Sequence, residues 1–197
     1  MVSTTPQLQL APAFSNRSSI MASLPQIQEW RREGFLISTN NALLSIEALT
    51  KAFAGEAMHW ATPLPAPAMK AMLDSSKNFG LYKISTSTFS SSPDSPPEEK
   101  LEQIGLARSI TDHTTFAYLT DVYVLDQYQG EGLGTWLVGC VNEWLASLPY
   151  LRACILTTVG EPTQRYYKRW MGMERFGHEE GERAAVVLKK KGPHGRV

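Results

Sequence analysis

The sequence predicts one α+β domain flanked by two tails. Its 197 residues are 43% hydrophobic, which is enough to form a sizeable core. The predicted elements follow the order strand, two helices, three strands, helix, strand, helix, strand. The clearest of them is the segment 122–148, in which an apolar strand leads through a glycine-rich turn into a long amphipathic helix.

Residues 1–33 are predicted to form a disordered tail that precedes the domain. The first 28 contain no acidic residue and seven serines or threonines, so they cannot bury enough apolar surface to fold. An organellar transit peptide has a similar composition, but Arg17 is the only basic residue before Arg31. We therefore expect a cytoplasmic protein, with a mitochondrial location as the alternative.

The domain itself, residues 34–188, begins with elements joined by polar loops. The apolar patterns predict a strand at 35–38, helices at 46–54 and 66–73, and strands at 79–84 and 101–108. Ser45 is the expected N-cap of the first helix. Residues 85–100 are expected to form a flexible insert at the tip of a hairpin, because eleven of the thirteen residues from 85 to 97 are Ser, Thr or Pro.

The second half of the domain is predicted to alternate strands and helices. It contains strands at 116–125, 153–157 and 184–188 and helices at 133–148 and 163–171. Pro162 suits the first turn of the last helix, and Gly172 suits its end. Residues 189–197 are expected to form a solvated basic tail.

The turn 129–134 has the composition of a phosphate-binding loop. Gly130, Gly132 and Gly134 are poor helix formers, yet they stand where the long helix begins. Glycine permits positive φ and lets a ligand approach the backbone closely. The first N–H groups of a helix have no internal partner, and the helix dipole places partial positive charge there. The sequence therefore predicts that a pyrophosphate binds at this turn.

The spacing of the glycines in the turn distinguishes between classes of phosphate ligand. It is not G-x-x-x-x-G-K-[ST], which argues against a nucleotide triphosphatase, and it is not the dinucleotide-binding G-x-G-x-x-G. It resembles the Q/R-x-x-G-x-G/A signature of the GNAT N-acetyltransferase superfamily, with Gln129, Gly132 and Gly134 at the defined positions. The run 121–130 also resembles the family sequence D-x-x-V-L-P-x-Y-R-G, with Asp126 in place of Pro and Gln129 in place of Arg.

This resemblance implies a fold and a cofactor. The fold is a three-layer one, in which a mixed, mostly antiparallel twisted sheet of six to seven strands has helices on both faces. A bulge in the family's fourth strand splays it from the fifth, and acetyl-CoA lies in the gap. The resemblance assigns acetyl-CoA binding to the strand residues Val122, Tyr123 and Val124, through their backbone, and to Gln129, Gly130, Glu131, Gly132, Leu133, Gly134 and Thr135.

The activity that the resemblance implies is direct transfer of the acetyl group from acetyl-CoA to a primary amine. The acceptor, a small molecule or a peptide, is not identified by the sequence. Cys140 and Cys154 lie on apolar faces of predicted core elements, so neither is a credible nucleophile. Two alternatives stay open: a catalytically silent module that senses acyl-CoA, and a transferase that uses a longer acyl-CoA.

The sequence leaves the general base open. The glutamate of histone-type family members is replaced by Tyr118, and the Glu-Asp pair of many small-molecule members reads Thr120-Asp121. Asp121 is therefore either a base, acting directly or through water, or a paired structural carboxylate near the bulge. Four further residues lie in loops that could reach an acceptor: Glu56, His59, Asp112 and His113.

The family often has a tyrosine acid in the pattern Y-x-K-x-G-F, in the helix after its fifth strand. Tyr167 is the natural match, but one extra residue separates it from Gly172, so Tyr166 stays a candidate. Adjacent helix residues differ by about 100° in direction. We therefore expect Tyr167 to face the cofactor thiol and Tyr166 to point elsewhere.

Composition argues against several other classes of function. Nineteen acidic and nineteen basic residues balance, so the chain has no general field for nucleic acid or a membrane surface. No apolar run approaches the ~18 residues that a membrane span needs. Four scattered His and two Cys have no metal-ligand spacing, so no metal is expected. The oligomeric state stays open, and a homodimer is compatible with the sequence.

Overall fold

The computed structural model describes residues 26–55, 58, 61–87 and 98–175. These residues form an α+β fold around a six-stranded sheet whose spatial order follows the chain. Its strands are β1 (Glu29–Arg32), β2 (Phe35–Ser38), β3 (Lys77–Ser87), β4 (Glu98–Thr111), β5 (Phe116–Val124) and β6 (Ala153–Ile155). All neighbours are antiparallel except β5 and β6, which are parallel. The predicted mixed, mostly antiparallel sheet is confirmed.

Helices cover both faces of the sheet, as the three-layer prediction requires. They are α1 (Ile46–Ala54), α2 (Ala66–Asp74), α3 (Leu133–Ala146) and α4 (Glu161–Met171). On one face, α3 buries Leu137 and Val141 against Phe79 and Leu81 of β3. On the other face, α1 and α2 enclose a second apolar cluster that includes Leu106 of β4. No helix in the described part of the chain has the length and hydropathy needed to span a membrane.

Two local signals in the sequence place helix ends correctly. The Ser45 hydroxyl accepts a hydrogen bond from the Ala48 N–H at 3.1 Å, which makes it the N-cap of α1. Gly172 ends α4 in the left-handed conformation at φ +66°. Both signals act within four residues, which is why the sequence alone suffices to read them.

Strand β1 is a correction to the prediction, because residues 29–32 were assigned to the N-terminal tail. Gly34, at φ +73°, turns the chain so that β1 pairs with β2. The Trp30 indole N–H donates to the Glu143 carboxylate of α3 at 3.0 Å, and the Arg32 guanidinium lies 4.8 Å from the ring centroid of Trp136. A charged edge strand has little apolar periodicity, so its sequence does not predict it. Contacts with a helix that is distant in sequence stabilise it instead.

The hairpin of β3 and β4 is longer than predicted at both arms. Its ladder continues to the pair Ser87↔Glu98, so residues 85–87 and 98–100 belong to strands and not to the flexible insert. Backbone pairing along the ladder satisfies the N–H and C=O groups of these polar residues. The rest of the insert, the predicted strand 184–188 and the tails over 1–25 and 189–197 lie outside the described residues.

The splay predicted between the family's fourth and fifth strands is present in this chain between β5 and β6. Their pairing covers only Phe116 to Tyr118 on β5, and the remainder of β5 has no strand partner on that side among the described residues. A bulge follows, because Asp121 and Val122 together lie opposite the single residue Ala107 of β4. Asp121 has φ +50°, a conformation that few residues other than glycine adopt.

Candidate active site

A cleft of about 500 Å³ lies beside the unpaired part of β5. It is bounded by β5, the glycine turn, the first turn of α3 and one side of α4. The lining residues are Val122, Tyr123, Val124, Gln129, Gly130, Gly132, Leu133, Gly134, Thr135, Thr163, Tyr166 and Tyr167. Sequence elements separated by more than forty residues therefore meet at one place. The cleft contains most of the residues that the sequence assigned to acetyl-CoA.

Two glycines of the turn are required by backbone conformation. Gly130 has φ +87° and Gly132 has φ +75°. An added Cβ would meet no atom within 4 Å at either position. The constraint at these positions is therefore the left-handed backbone and not a lack of space.

Gly134 has a different role in the same turn. It lies inside α3 with ordinary helical φ, and an added Cβ would point towards Val124 Cγ2 at 3.8 Å and the Tyr166 hydroxyl at 3.9 Å. Those two groups belong to the cleft lining. Glycine at position 134 therefore keeps the floor of the cleft open.

The N-terminus of α3 faces the cleft without a side-chain cap. Gly132 is the N-cap residue and has no side chain to accept a hydrogen bond. The first N–H groups of a helix lack internal partners and carry partial positive charge. Among the described residues, the lining has no charged side chain. The backbone alone therefore makes this end of the cleft suitable for an anion.

Gln129 and Glu131, both predicted to bind the cofactor, have different positions. The Gln129 amide donates to the Val124 carbonyl and to Asp126 Oδ1, each at 2.9 Å. These bonds fasten the turn to the end of β5. Glu131 is exposed and is not part of the cleft lining.

Both tyrosines of α4 line the cleft, and which of them faces the cofactor thiol stays a prediction. Their ring centroids are 5.3 Å apart, with the ring planes at 83°. The Tyr166 hydroxyl lies beside Gly134 in the first turn of α3, 3.9 Å from the position that a Cβ would take there, whereas Tyr167 packs against the core under α3. Both side chains line the cleft, although adjacent helix residues differ by about 100° in direction.

Burial keeps both phenols protonated. It raises the pKa of Tyr167 to about 12, with a further contribution from Tyr166. Burial also raises the pKa of Tyr166, and the nearby Thr135 side chain opposes that shift. At neutral pH each phenol can therefore donate a proton or a hydrogen bond to a group in the cleft.

Asp121 is part of a buried ion pair and not of the cleft lining. Its Oδ2 accepts from Arg108 Nε at 2.7 Å, and its Oδ1 accepts from the Thr120 hydroxyl at 3.2 Å. The Asp121 and Arg108 side chains are 7% and 10% exposed. Of the two interpretations that the sequence left open, this geometry supports the paired structural carboxylate.

Of the loop candidates, the described residues Asp112 and His113 do not line the cleft either. Asp112 accepts hydrogen bonds from the Thr115 hydroxyl and from three backbone N–H groups, and these hold the pKa of its carboxyl well below its usual range. His113 belongs to the same turn, at φ +59°. The Tyr118 hydroxyl lies 2.9 Å from Thr157 Oγ1. Glu56 and His59 lie outside the described residues.

Thr163 is a lining residue that the sequence analysis missed. It lies in the first turn of α4, three and four residues before the two tyrosines. Residues at this helical spacing share one face, so the choice of Tyr166 and Tyr167 contained enough information to find it. No group of three or more metal-ligating side chains occurs within the residues that the structure describes.

Comparisons with known proteins agree with this geometry. The sequence pattern of the acetyltransferase (GNAT) family matches residues 98–173. A candidate acetyltransferase of Gibberella zeae is 35% identical over 175 residues, covering 88% of this chain and 98% of that protein.

Solved structures show the same fold. A GNAT-family structure from Xanthomonas campestris pv. campestris has a TM-score of 0.50 and 26% identity, covering 78% of this chain and 95% of that chain. A probable acetyltransferase from meticillin-resistant Staphylococcus aureus has a TM-score of 0.53 and 18% identity, covering 79% of this chain and 99% of that chain.

Proposed function

Because this chain belongs to the GNAT family of acetyltransferases, we propose that it transfers the acetyl group of acetyl-CoA to a primary amine of a small molecule or peptide. The observation that carries the choice of donor is the uncapped N-terminus of α3 behind two glycines at positive φ. The family assignment also favours an enzyme over a silent acyl-CoA-binding module.

The cleft offers separate positions for the parts of the cofactor. The pyrophosphate would lie at the first turn of α3, where backbone N–H groups point into the cleft. The pantetheine arm contains amides, and the free edge of β5 beyond Tyr118 offers unpaired backbone groups to bind them. The thioester would then lie between β5 and the tyrosines of α4.

Transfer would proceed without an acyl-enzyme. The neutral amine nitrogen attacks the thioester carbon, the C–N bond forms, and collapse of the tetrahedral intermediate breaks the C–S bond. Burial raises the pKa of the Cys140 thiol to about 12, and it raises that of Cys154 as well. Neither thiol belongs to the lining of the cleft. Both observations argue against a cysteine nucleophile.

Protons must move in two directions during this reaction. An alkylamine with a pKa near ~10.4 must lose its extra proton before attack, and the departing thiolate must gain one. Tyr167 is the proposed acid, because its phenol stays protonated and lines the cleft. The proton of the ammonium ion goes to solvent water or to a base of the acceptor loops. The second proton, which the nitrogen loses after attack, restores the Tyr167 phenol through water.

Two measurements test the proposal. Calorimetric titration with acetyl-CoA at about 100 μM, within the usual range of KM, should show one site. Thiol release measured across a panel of primary amines should then depend on both substrates. Binding without thiol release for any amine would favour the silent module, and absence of binding would refute the choice of donor. Repeating the assay with butyryl-CoA tests the preference for a longer acyl chain.

A further inference from the structure

A chain of hydrogen bonds connects the bulge of β5 to the C-terminal end of α2. Asp121 is bound to Arg108 Nε at 2.7 Å. Arg108 Nη1 donates to the Ser76 hydroxyl at 3.0 Å, and that hydroxyl donates to the Met72 carbonyl at 2.9 Å. None of the four residues of this network is among the residues that line the cleft. The network therefore joins two structural elements beside the cleft.

The bulge needs such a support because its backbone is unusual. Asp121 has φ +50°, and the next residue, Val122, is the first residue of β5 that lines the cleft. The pairing of β5 with β6 ends at Tyr118, so among the described strands only β4 pairs with this part of β5. A bulge can slip in register when its neighbours do not determine its position. Asp121 is bonded through its side chain to Arg108, the residue of β4 that pairs with Thr120.

We propose that Arg108 and Asp121 are positioning residues: their ion pair holds the bulge so that the backbone from Val122 to Val124 keeps its place against the acetyl donor. Asp121 acts through Arg108 and is not the general base. This inference rests on the function proposed above.

The ion pair can be tested with neutral variants, of which Asp121→Asn keeps the shape of the side chain and Arg108→Gln shortens it but keeps an N–H donor at the position of Nε. Asp121→Asn keeps the oxygen acceptor and the tolerance for positive φ, but it leaves the buried Arg108 charge without a partner. Arg108→Gln leaves the buried Asp121 charge without its ionic partner. The double variant has neither charge, and an amide pair can still hydrogen-bond. Asp74→Asn, which removes the exposed Lys70–Asp74 pair at the end of the same helix, is the matched control.

The expected result is a rescue. Each single variant should raise the KM for acetyl-CoA about fivefold or more, and the double variant should return KM and kcat to within about threefold of the parent, as coupled pairs do. Amide hydrogen exchange of residues 119–125 should become faster in each single variant and slow again in the double variant. Asp74→Asn should change neither quantity.

Two results would overturn the inference. A base role for Asp121 predicts that the double variant stays ~10²–10⁴-fold slower in kcat, with the acidic limb of its pH profile lost. Unchanged hydrogen exchange in all variants would show that the pair does not hold the bulge. The exchange measurement needs no turnover, so a parent enzyme without activity would count against the proposed function and leave this inference testable. The double variant also decides the question if a single variant does not fold.

Discussion

The glycine turn and the bulge of β5 adjoin the same cleft, and both contain a residue at positive φ, but they maintain it in different ways. Gly132 adopts φ +75° at little cost, because it has no Cβ. Asp121 adopts φ +50° as a residue with a side chain, and a buried arginine binds that side chain. The conformation of the glycine turn is therefore determined by six consecutive residues, whereas that of the β5 bulge depends on Arg108 of the neighbouring strand β4.

The largest expected effect is at the turn. Gly132→Val and Gly134→Val should each abolish measurable binding of acetyl-CoA in calorimetry. Losing two hydrogen bonds to a charged phosphate, at about 1.5–3 kcal/mol each, corresponds to a loss of at least about 100-fold in affinity.

The two valine variants should differ in stability, which separates the roles of the two glycines. Gly132→Val forces a β-branched residue into a left-handed backbone and should lower the free energy of unfolding by ~1–3 kcal/mol. Gly134→Val, at ordinary helical φ, should leave it nearly unchanged. Gly139→Ala, an exposed position in the same helix with open space around it, is the control and should bind normally. Parental affinity in both valine variants would refute the phosphate assignment.

The next effect concerns Tyr166 and Tyr167, the two adjacent tyrosines of α4 that line the cleft. Tyr167→Phe should lower kcat at least tenfold with little change in acetyl-CoA affinity, since general-acid assistance is typically worth ~10²–10⁴. Tyr166→Phe removes a hydroxyl that lies beside Gly134 at the first turn of α3 and should mainly weaken acetyl-CoA binding, by a few-fold, as expected for the loss of one hydrogen bond of about 0.5–1.5 kcal/mol to the cofactor. Steady-state kinetics and calorimetry distinguish the two. If Tyr167→Phe mainly weakened binding and Tyr166→Phe mainly lowered kcat, the roles of the two tyrosines would be exchanged.

The smallest expected effect is on the free energy of unfolding at high pH, and it concerns two buried tyrosines. Tyr82 and Tyr123 are 1% and 8% exposed, and burial raises the pKa of each above its ordinary value. In the unfolded chain a tyrosine ionises near pH ~10. Above that pH the folded state binds more protons, so the free energy of unfolding should fall as pH rises, by up to about 1.4 kcal/mol per pH unit for each phenol.

Urea unfolding between about pH 8 and pH 11 measures this slope. Tyr82→Phe should reduce it, whereas Tyr150→Phe, at a position that is 70% exposed, should not. A slope that Tyr82→Phe leaves unchanged would mean that other groups cause the alkaline instability.

The correct predictions from sequence concern features that depend on a few consecutive residues. The glycine turn, the Ser45 cap and the Gly172 end of α4 follow from local φ values and from hydrogen bonds that span at most four residues. The apolar periodicity of α3 likewise predicts which of its faces is buried, because each turn of a helix repeats the same geometry.

Tertiary contacts decided the rest. Strand β1 is a charged segment with no period of its own, and Trp30 binds it to a helix more than one hundred residues away. The partner of Asp121 lies on another strand, and sequence alone could not choose between a base and a structural carboxylate. The orientation of α4 brings both Tyr166 and Tyr167 to the cleft. In each case the stabilising energy comes from a group that is distant in sequence, so no local pattern contains it.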